Sequence, residues 1–222
     1  FARPEMFTTQ LRALLSAANA GDLRILVPMV SSVEEFRRVR ELVKEAREEV
    51  LARGISVPDD IPIGAMIEVP SAAITADLIA PETDFLALGT NDLIQYTLAV
   101  DRANETVSAL FRPTHPAVLR LVAQVAAAAH AARKPLSVCG EMAADPALML
   151  LFLGLGIREF SMGPRAVPVL KDFVRGVNLV DAARVAKAAL SLSTSDEVAA
   201  LLAQELRALP AGETARRLEV PA

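Results

Sequence analysis

Short apolar runs recur along the chain, each followed by a polar turn and then by apolar residues spaced three or four apart. Leu23 to Val27 is the first run. Pro28 closes it, and Ser31-Ser32 then opens a helix, with Ser32 and Glu35 at capping-box spacing. That helix is predicted to bury Val33, Phe36, Val39, Leu42, Val43, Ala46 and Val50 on one face and to stop at Gly54. After a turn-rich connection from Pro58 to Pro62, Ile63 to Val69 reads as a second buried strand and Ser71 to Ile79 as a short helix. Phe85–Leu88, Leu136–Val138 and Arg158–Met162 read as the third, fourth and fifth strands. Helical patterns begin near Asn91 and cover Pro116–Arg133, about Pro146 to Leu153, Val167–Arg175, Leu179–Leu190 and Asp196–Leu206.

Strands alternating with helices imply parallel βαβ units and an α/β fold. Five such units are visible, whereas a closed (βα)8 barrel has eight. No sequence repeat or low-complexity linker divides the chain, so one domain over residues 1–206 is expected, with 207–222 as a weakly ordered tail.

Composition narrows the function. Hydrophobic residues make up 53% of the 222, enough for one large core. The net charge is −4 and Lys and Arg are scattered, so the concentrated basic face that nucleic acid requires is missing. A single cysteine, Cys139, rules out a disulfide framework or a multi-cysteine metal cluster and fits a reducing cytosol. The apolar run Val118–Ala132 is broken by Arg120, Gln124 and His130, well short of the ~20 residues a membrane span needs. The start at Phe1, with no basic-then-apolar signal pattern, suggests a piece of a longer chain.

In parallel α/β folds, function sits at the C-terminal ends of the strands. The polar residues just after each apolar run are therefore the informative ones: Glu68, then Thr90-Asn91-Asp92, then Cys139-Gly140-Glu141, then Ser161 and Gly163. A carboxylate within a buried strand needs a partner or a metal, and Glu68 alone fits a salt bridge or a cap as well as a ligand. Asp92, expected at the neighbouring strand mouth, tips the pair toward Mg²⁺, which takes a few carboxylates and completes its shell with water and substrate oxygens. The Gly89–Asp92 stretch opens a helix whose N–H groups can receive phosphate. Arg102 is a candidate phosphate clamp, though by itself it reads as a surface arginine paired with Asp101. Cys139 alone would be a core filler; its strand-end position beside Gly140 favours a functional thiol. Glu141 could serve it as a relay or hold the loop. His115, flanked by prolines' rigid turn, and His130, mid-helix, read as structural, and Met66, Met142, Met149 and Met162 as core packing.

These motifs resemble a known family. Leu26-Val27-Pro28-Met29-Val30-Ser31-Ser32-Val33-Glu34-Glu35, Gly64-Ala65-Met66-Ile67-Glu68-Val69-Pro70, the stretch from Asp84 to Asn104, Cys139-Gly140-Glu141-Met142-Ala143 and Glu159-Phe160-Ser161-Met162 are similar, in the same order, to the barrel of phosphoenolpyruvate–protein phosphotransferase (Enzyme I of the bacterial sugar phosphotransferase system). The likeness spans roughly residues 5–206. It implies a (βα)8 TIM-type barrel of which the chain covers about the last five units. It further implies Glu68 and Asp92 as Mg²⁺ ligands, Asn91, Asp92 and Arg102 at the phosphate of phosphoenolpyruvate, and Cys139 as the acid that converts the enolate to pyruvate. The implied partners are a phospho-histidine domain and the HPr carrier protein, in a cytoplasmic homodimer serving sugar uptake. Nothing in the chain matches the acceptor-histidine motif, and about three upstream strand units with further phosphate-binding arginines precede the matched region in the family's barrel. Complete phosphotransfer by this chain alone is therefore not expected. Pyruvate phosphate dikinase and phosphoenolpyruvate synthase share the Thr-Asn-Asp and Cys-Gly-Glu patterns, but Gln95 to Arg102 favours Enzyme I. A non-catalytic dimerising or ligand-binding barrel module is the other class of reading.

Overall fold

A computed structural model describes residues 4–209. Helix α1 (Pro4–Ala17) leads into β1 (Ile25–Val27), α2 (Val33–Ala52) and β2 (Ile63–Ile67). Two short helices follow, α3 (Pro70–Ile74) and α4 (Ala76–Ile79), and then β3 (Leu86–Gly89) and α5 (Thr90–Leu98). The chain continues through α6 (Pro116–Ala131), β4 (Leu136–Cys139), α7 (Pro146–Gly154) and β5 (Glu159–Ser161). It ends in α8 (Val167–Arg175), α9 (Leu179–Ser191) and α10 (Ser195–Ala208).

The five strands are all parallel and lie in chain order, β1-β2-β3-β4-β5. A doubly wound sheet would reverse its order at a switch point; an unbroken order is the winding of a barrel. The fold is thus α/β, five consecutive units of the (βα)8 type. Side chains alternate accordingly. Ile25, Val27, Ile63, Ala65, Ile67, Leu86, Leu88 and Val138 join the core beneath the helices. Leu26, Met66, Glu68, Ala87, Gly89, Ser137 and Cys139 alternate with them and lie on the opposite face. That face is covered at its centre and open at its edges: Ala87 is 2% exposed, whereas Leu26 on β1 is 37% exposed and Ser161 on β5 is exposed. Met66 belongs to this second face and is absent from the helix-side core, contrary to the packing role expected for it.

The sequence pattern explains most of the elements. Ser32 Oγ accepts from the N–H of Glu35 at 3.3 Å, as the capping spacing implies. The reciprocal arm lands one residue earlier, where Glu35 Oε2 accepts from the N–H of Ser31 at 2.8 Å. Thr75 splits the expected 71–79 helix in two, its φ/ψ of −104°/25° interrupting the helical ladder. Helix α1 was not expected, because it precedes the first strand and so lacks the alternation that marks the other units. In α7, residues Leu148 to Leu153 are all buried, the signature of a helix surrounded by protein. A side chain on Gly154 would meet the Ala182 carbonyl of α9 at 2.1 Å, so that crossing needs glycine. Helix α10 runs to Ala208, past the expected boundary at 206, and the rest of the expected tail, 210–222, lies outside the described residues. No helix among the described residues is long and apolar enough to cross a membrane.

Candidate active site

The C-terminal ends of β2, β3 and β4 bring the acidic and thiol candidates together. Glu68, the residue after β2, is 4% exposed. Its Oε1 accepts from the backbone N–H of Met29 at 2.7 Å. Met29 holds a φ of 56°, uncommon for a residue with a side chain, and it lies between β1 and α2 where no helix end demands that conformation. A second tie joins the same loops, with Ser71 Oγ donating to the Ser31 carbonyl at 2.8 Å. On the other flank, a Cβ on Gly89 would sit 2.4 Å from Glu68 Oε2, so glycine there lets the carboxylate lie against β3.

Asp92 stands in the first turn of α5, half-buried and within hydrogen-bonding reach of Glu68. Burial holds the Glu68 carboxyl above the usual carboxylate range, the Met29 N–H pulls it part of the way back, and the charge and hydrogen bond of Asp92 raise it again. Two acidic groups forced together in a desolvated position suit a divalent cation, which would neutralise the repulsion. Among the described residues no group of three or more His, Cys, Asp or Glu converges as a metal cage. A pair of carboxylates nevertheless fits Mg²⁺, which commonly binds through one or two of them and keeps water or substrate oxygens elsewhere.

Cys139 ends β4, half-buried, and its Sγ donates to the Leu88 carbonyl at 3.1 Å. Burial, and then the charge of Glu68, push the thiol above its ordinary value, with its own backbone hydrogen bond opposing weakly. The group is therefore a thiol at neutral pH, able to donate a proton rather than to attack as a thiolate.

The loop that carries this thiol is braced from β3. Thr90, fully buried, donates its Oγ1 hydrogen to the Cys139 carbonyl at 2.9 Å. Asn91 Oδ1 accepts from the N–H of Glu141 at 3.2 Å. That bond fixes which way the amide faces and leaves its NH₂ to donate elsewhere. Gly140 adopts a φ of 106° and a ψ of −175°, a region almost confined to glycine. A Cβ there would also lie 2.5 Å from Thr90 Oγ1. Ser161 stands in register with Cys139 on β5.

Not every candidate joins the cluster. Arg102 is exposed in the 99–115 connection, where its backbone N–H donates to Gln95 Oε1 at 3.3 Å. Among the described residues its guanidinium makes no hydrogen bond or ion pair to Glu68, Asp92 or Cys139, nor to Asp101, which instead accepts from Ala103 N–H at 2.9 Å. The Glu141 side chain is exposed, and the residue serves through its backbone. His115 caps α6, its Nδ1 accepting from the N–H of Ala117 at 3.1 Å. Sequence reasoning missed the part played by Met29, which acts through its backbone, and it singled out Thr90 as a strand-end residue without assigning it a role. The positive φ of one and the complete burial of the other are visible only in three dimensions.

The chain is 45% identical over 194 residues to a phosphoenolpyruvate-protein phosphotransferase from Geobacillus stearothermophilus, covering 87% of this chain and 34% of that protein. It is 46% identical over 200 residues to the phosphotransferase of the same name from Staphylococcus carnosus, covering 90% and 35%. The chain thus spans about a third of the length of these curated relatives. Among solved structures it is similar to a citrate lyase from Burkholderia xenovorans, with a TM-score of 0.56 at 17% identity, covering 94% of this chain and 72% of that one, a likeness of fold alone. Residues 1–179 match the family described as PEP-utilising enzyme, PEP-binding domain, and with four-fifths of its length inside that match the chain belongs to this family.

Proposed function

We propose that the chain supplies the metal-binding and proton-donating part of a phosphoenolpyruvate–protein phosphotransferase, acting within a longer polypeptide that adds the remaining barrel strands and the phospho-accepting histidine. The observation that carries this reading is the placement of Glu68, Asp92 and the half-buried Cys139 thiol at the C-terminal ends of the adjacent strands β2, β3 and β4. Glu68 and Asp92 would hold Mg²⁺, whose role when bound is to neutralise charge on the phosphate and enolate oxygens. The Asn91 NH₂ and the backbone N–H groups opening α5 donate to phosphate oxygens. Arg102 adds its guanidinium when the exposed connection that bears it folds over the site.

The chemistry then balances. The bond between phosphorus and the enol oxygen breaks, the phosphoryl group passes to a histidine nitrogen, and the enolate methylene carbon takes the proton of Cys139 Sγ to become the methyl of pyruvate. The thiolate recovers its proton from solvent. Onward transfer to the HPr carrier, service to sugar uptake, a cytoplasmic location and a homodimeric assembly complete the proposal. They rest on the resemblance to the phosphotransferases named above.

The test is Cys139→Ala in the full-length polypeptide, assayed for phosphoenolpyruvate-dependent pyruvate release. A loss of about 100-fold or more, with Mg²⁺-dependent binding of phosphoenolpyruvate retained, is expected for removal of a general acid. Pyruvate release at the wild-type rate would remove Cys139 from the mechanism.

A further inference from the structure

Thr90 stands apart from the other polar residues of the rim. Its side chain is wholly buried, it belongs to the first turn of α5, and its hydroxyl reaches across to the next strand to donate to the Cys139 carbonyl at 2.9 Å. The acceptor is the backbone of the residue that bears the thiol. The following residue, Gly140, takes a backbone conformation almost closed to other residues, and its Cα passes close enough that an added Cβ would lie 2.5 Å from Thr90 Oγ1. One residue further on, the Glu141 N–H is held by Asn91. Three successive residues, Cys139, Gly140 and Glu141, are thus fitted to the start of α5, and Gly89 and Cys139 are register partners in the sheet.

A helix needs none of this. The Thr90 hydroxyl makes no cap for α5, and serine, valine or alanine would continue the helix with little difference in propensity. What the hydroxyl does is fix the carbonyl that ends β4, and through it the direction in which Cys139 leaves the strand. We infer that Thr90 is a positioning residue for the thiol: it holds the Cys139–Glu141 turn in the geometry from which the proton is delivered. This rests on the reading of Cys139 as an acid. If the turn drifted by an ångström the ligand would still bind at Glu68, Asp92 and Asn91, and protonation would slow.

Four chains decide the matter: wild type, Thr90→Val, Thr90→Ser and Thr90→Ala. Valine keeps the shape and loses the hydroxyl, while serine and alanine differ only by that hydroxyl. In hydrogen exchange on the full-length polypeptide, Val and Ala are expected to speed exchange in residues 139–144 by about 10-fold or more, with α7 unchanged and Ser near wild type. Equal acceleration in α7 would mean general loosening, and no acceleration would mean no clamp; either overturns the inference. In the full-length polypeptide, Val is expected to lower kcat about 10-fold at unchanged KM for phosphoenolpyruvate, with Ser restoring most of it. A rise in KM alone, or Ser as slow as Val, would also overturn it. If Val does not fold, the Ser–Ala contrast carries the same test. Failure of the acid reading itself is separate: Cys139→Ala would then leave pyruvate release intact while the exchange result stood.

Discussion

The two rims of the sheet make a useful contrast, because a sizeable cavity lies at the rim away from the proposed chemistry. At the N-terminal rim a cavity of about 710 Å³ is lined by α2 and the segments entering β2 and β3. Several of its polar groups are committed to holding the fold. The Arg47 guanidinium donates to the Pro58 carbonyl at 2.6 Å, the Val57 carbonyl at 3.2 Å and Asp59 Oδ1 at 2.8 Å. Arg40 donates to the Glu82 carbonyl at 2.5 Å, and Asp84 Oδ2 accepts from the N–H of Ile63 at 2.8 Å. At the C-terminal rim the groups are left in tension: Glu68 is desolvated beside another carboxylate, Cys139 is a half-buried thiol, and Met29 and Gly140 hold positive φ. Volume marks where the chain has room. Polar groups held at a cost to stability mark where it has a task.

The largest effect should come from Glu68→Gln. With Glu68 holding Mg²⁺ as proposed, its loss is expected to lower Mg²⁺-dependent pyruvate release in the full-length polypeptide about 100-fold or more. The isolated chain should respond in the opposite sense. The Glu68 carboxyl is raised in the folded state, so the native protein binds the extra proton between the ordinary carboxyl pKa and the raised one. Its contribution to stability is fully present below that window and is lost as pH rises through the folded value. Urea unfolding at pH 5 and pH 7 should therefore show a decline with pH in the wild type that Glu68→Gln flattens. An unchanged slope would mean that Glu68 is not held in tension.

Arg47→Ala is the matching change at the other rim. Removing bonds to the 57–59 connection is expected to cost about 1–2 kcal/mol, read as a fall of roughly 2–8 °C in Tm, with pyruvate release per folded molecule unchanged. A catalytic defect without a stability change would erase the distinction between the rims. The smallest expected effect is His115→Ala, about 1 kcal/mol for loss of a helix cap, again with activity intact. A large activity loss there would revive a phospho-carrier role for the imidazole.

The contrast also explains what could be read from sequence. Glu68, Asp92 and Cys139 were legible because each is a polar residue at the end of an apolar run, and parallel strands carry such residues to one rim. The buried face of α2 was legible from spacing, although Val33 is only partly buried. Met29 was not, since its contribution is a backbone N–H whose aim depends on a left-handed turn. Thr90 stood among the strand-end residues, but its role was not legible, since burial and a partner 49 residues away leave no local mark. Arg102 shows the reverse limit: the resemblance assigns it to phosphate, while the fold leaves its side chain in an exposed connection with no tie to the cluster. Glu141 was noticed for its carboxylate and matters for its N–H.

The most direct measurement is hydrogen exchange of the full-length polypeptide with and without Mg²⁺ and phosphoenolpyruvate together. Binding at the C-terminal rim should slow exchange in residues 66–72, 88–96 and 138–145, and leave 40–47 and 57–63 as they were. Protection of the N-terminal segments instead, or of neither set while the ligand is bound, would contradict the placement of the site.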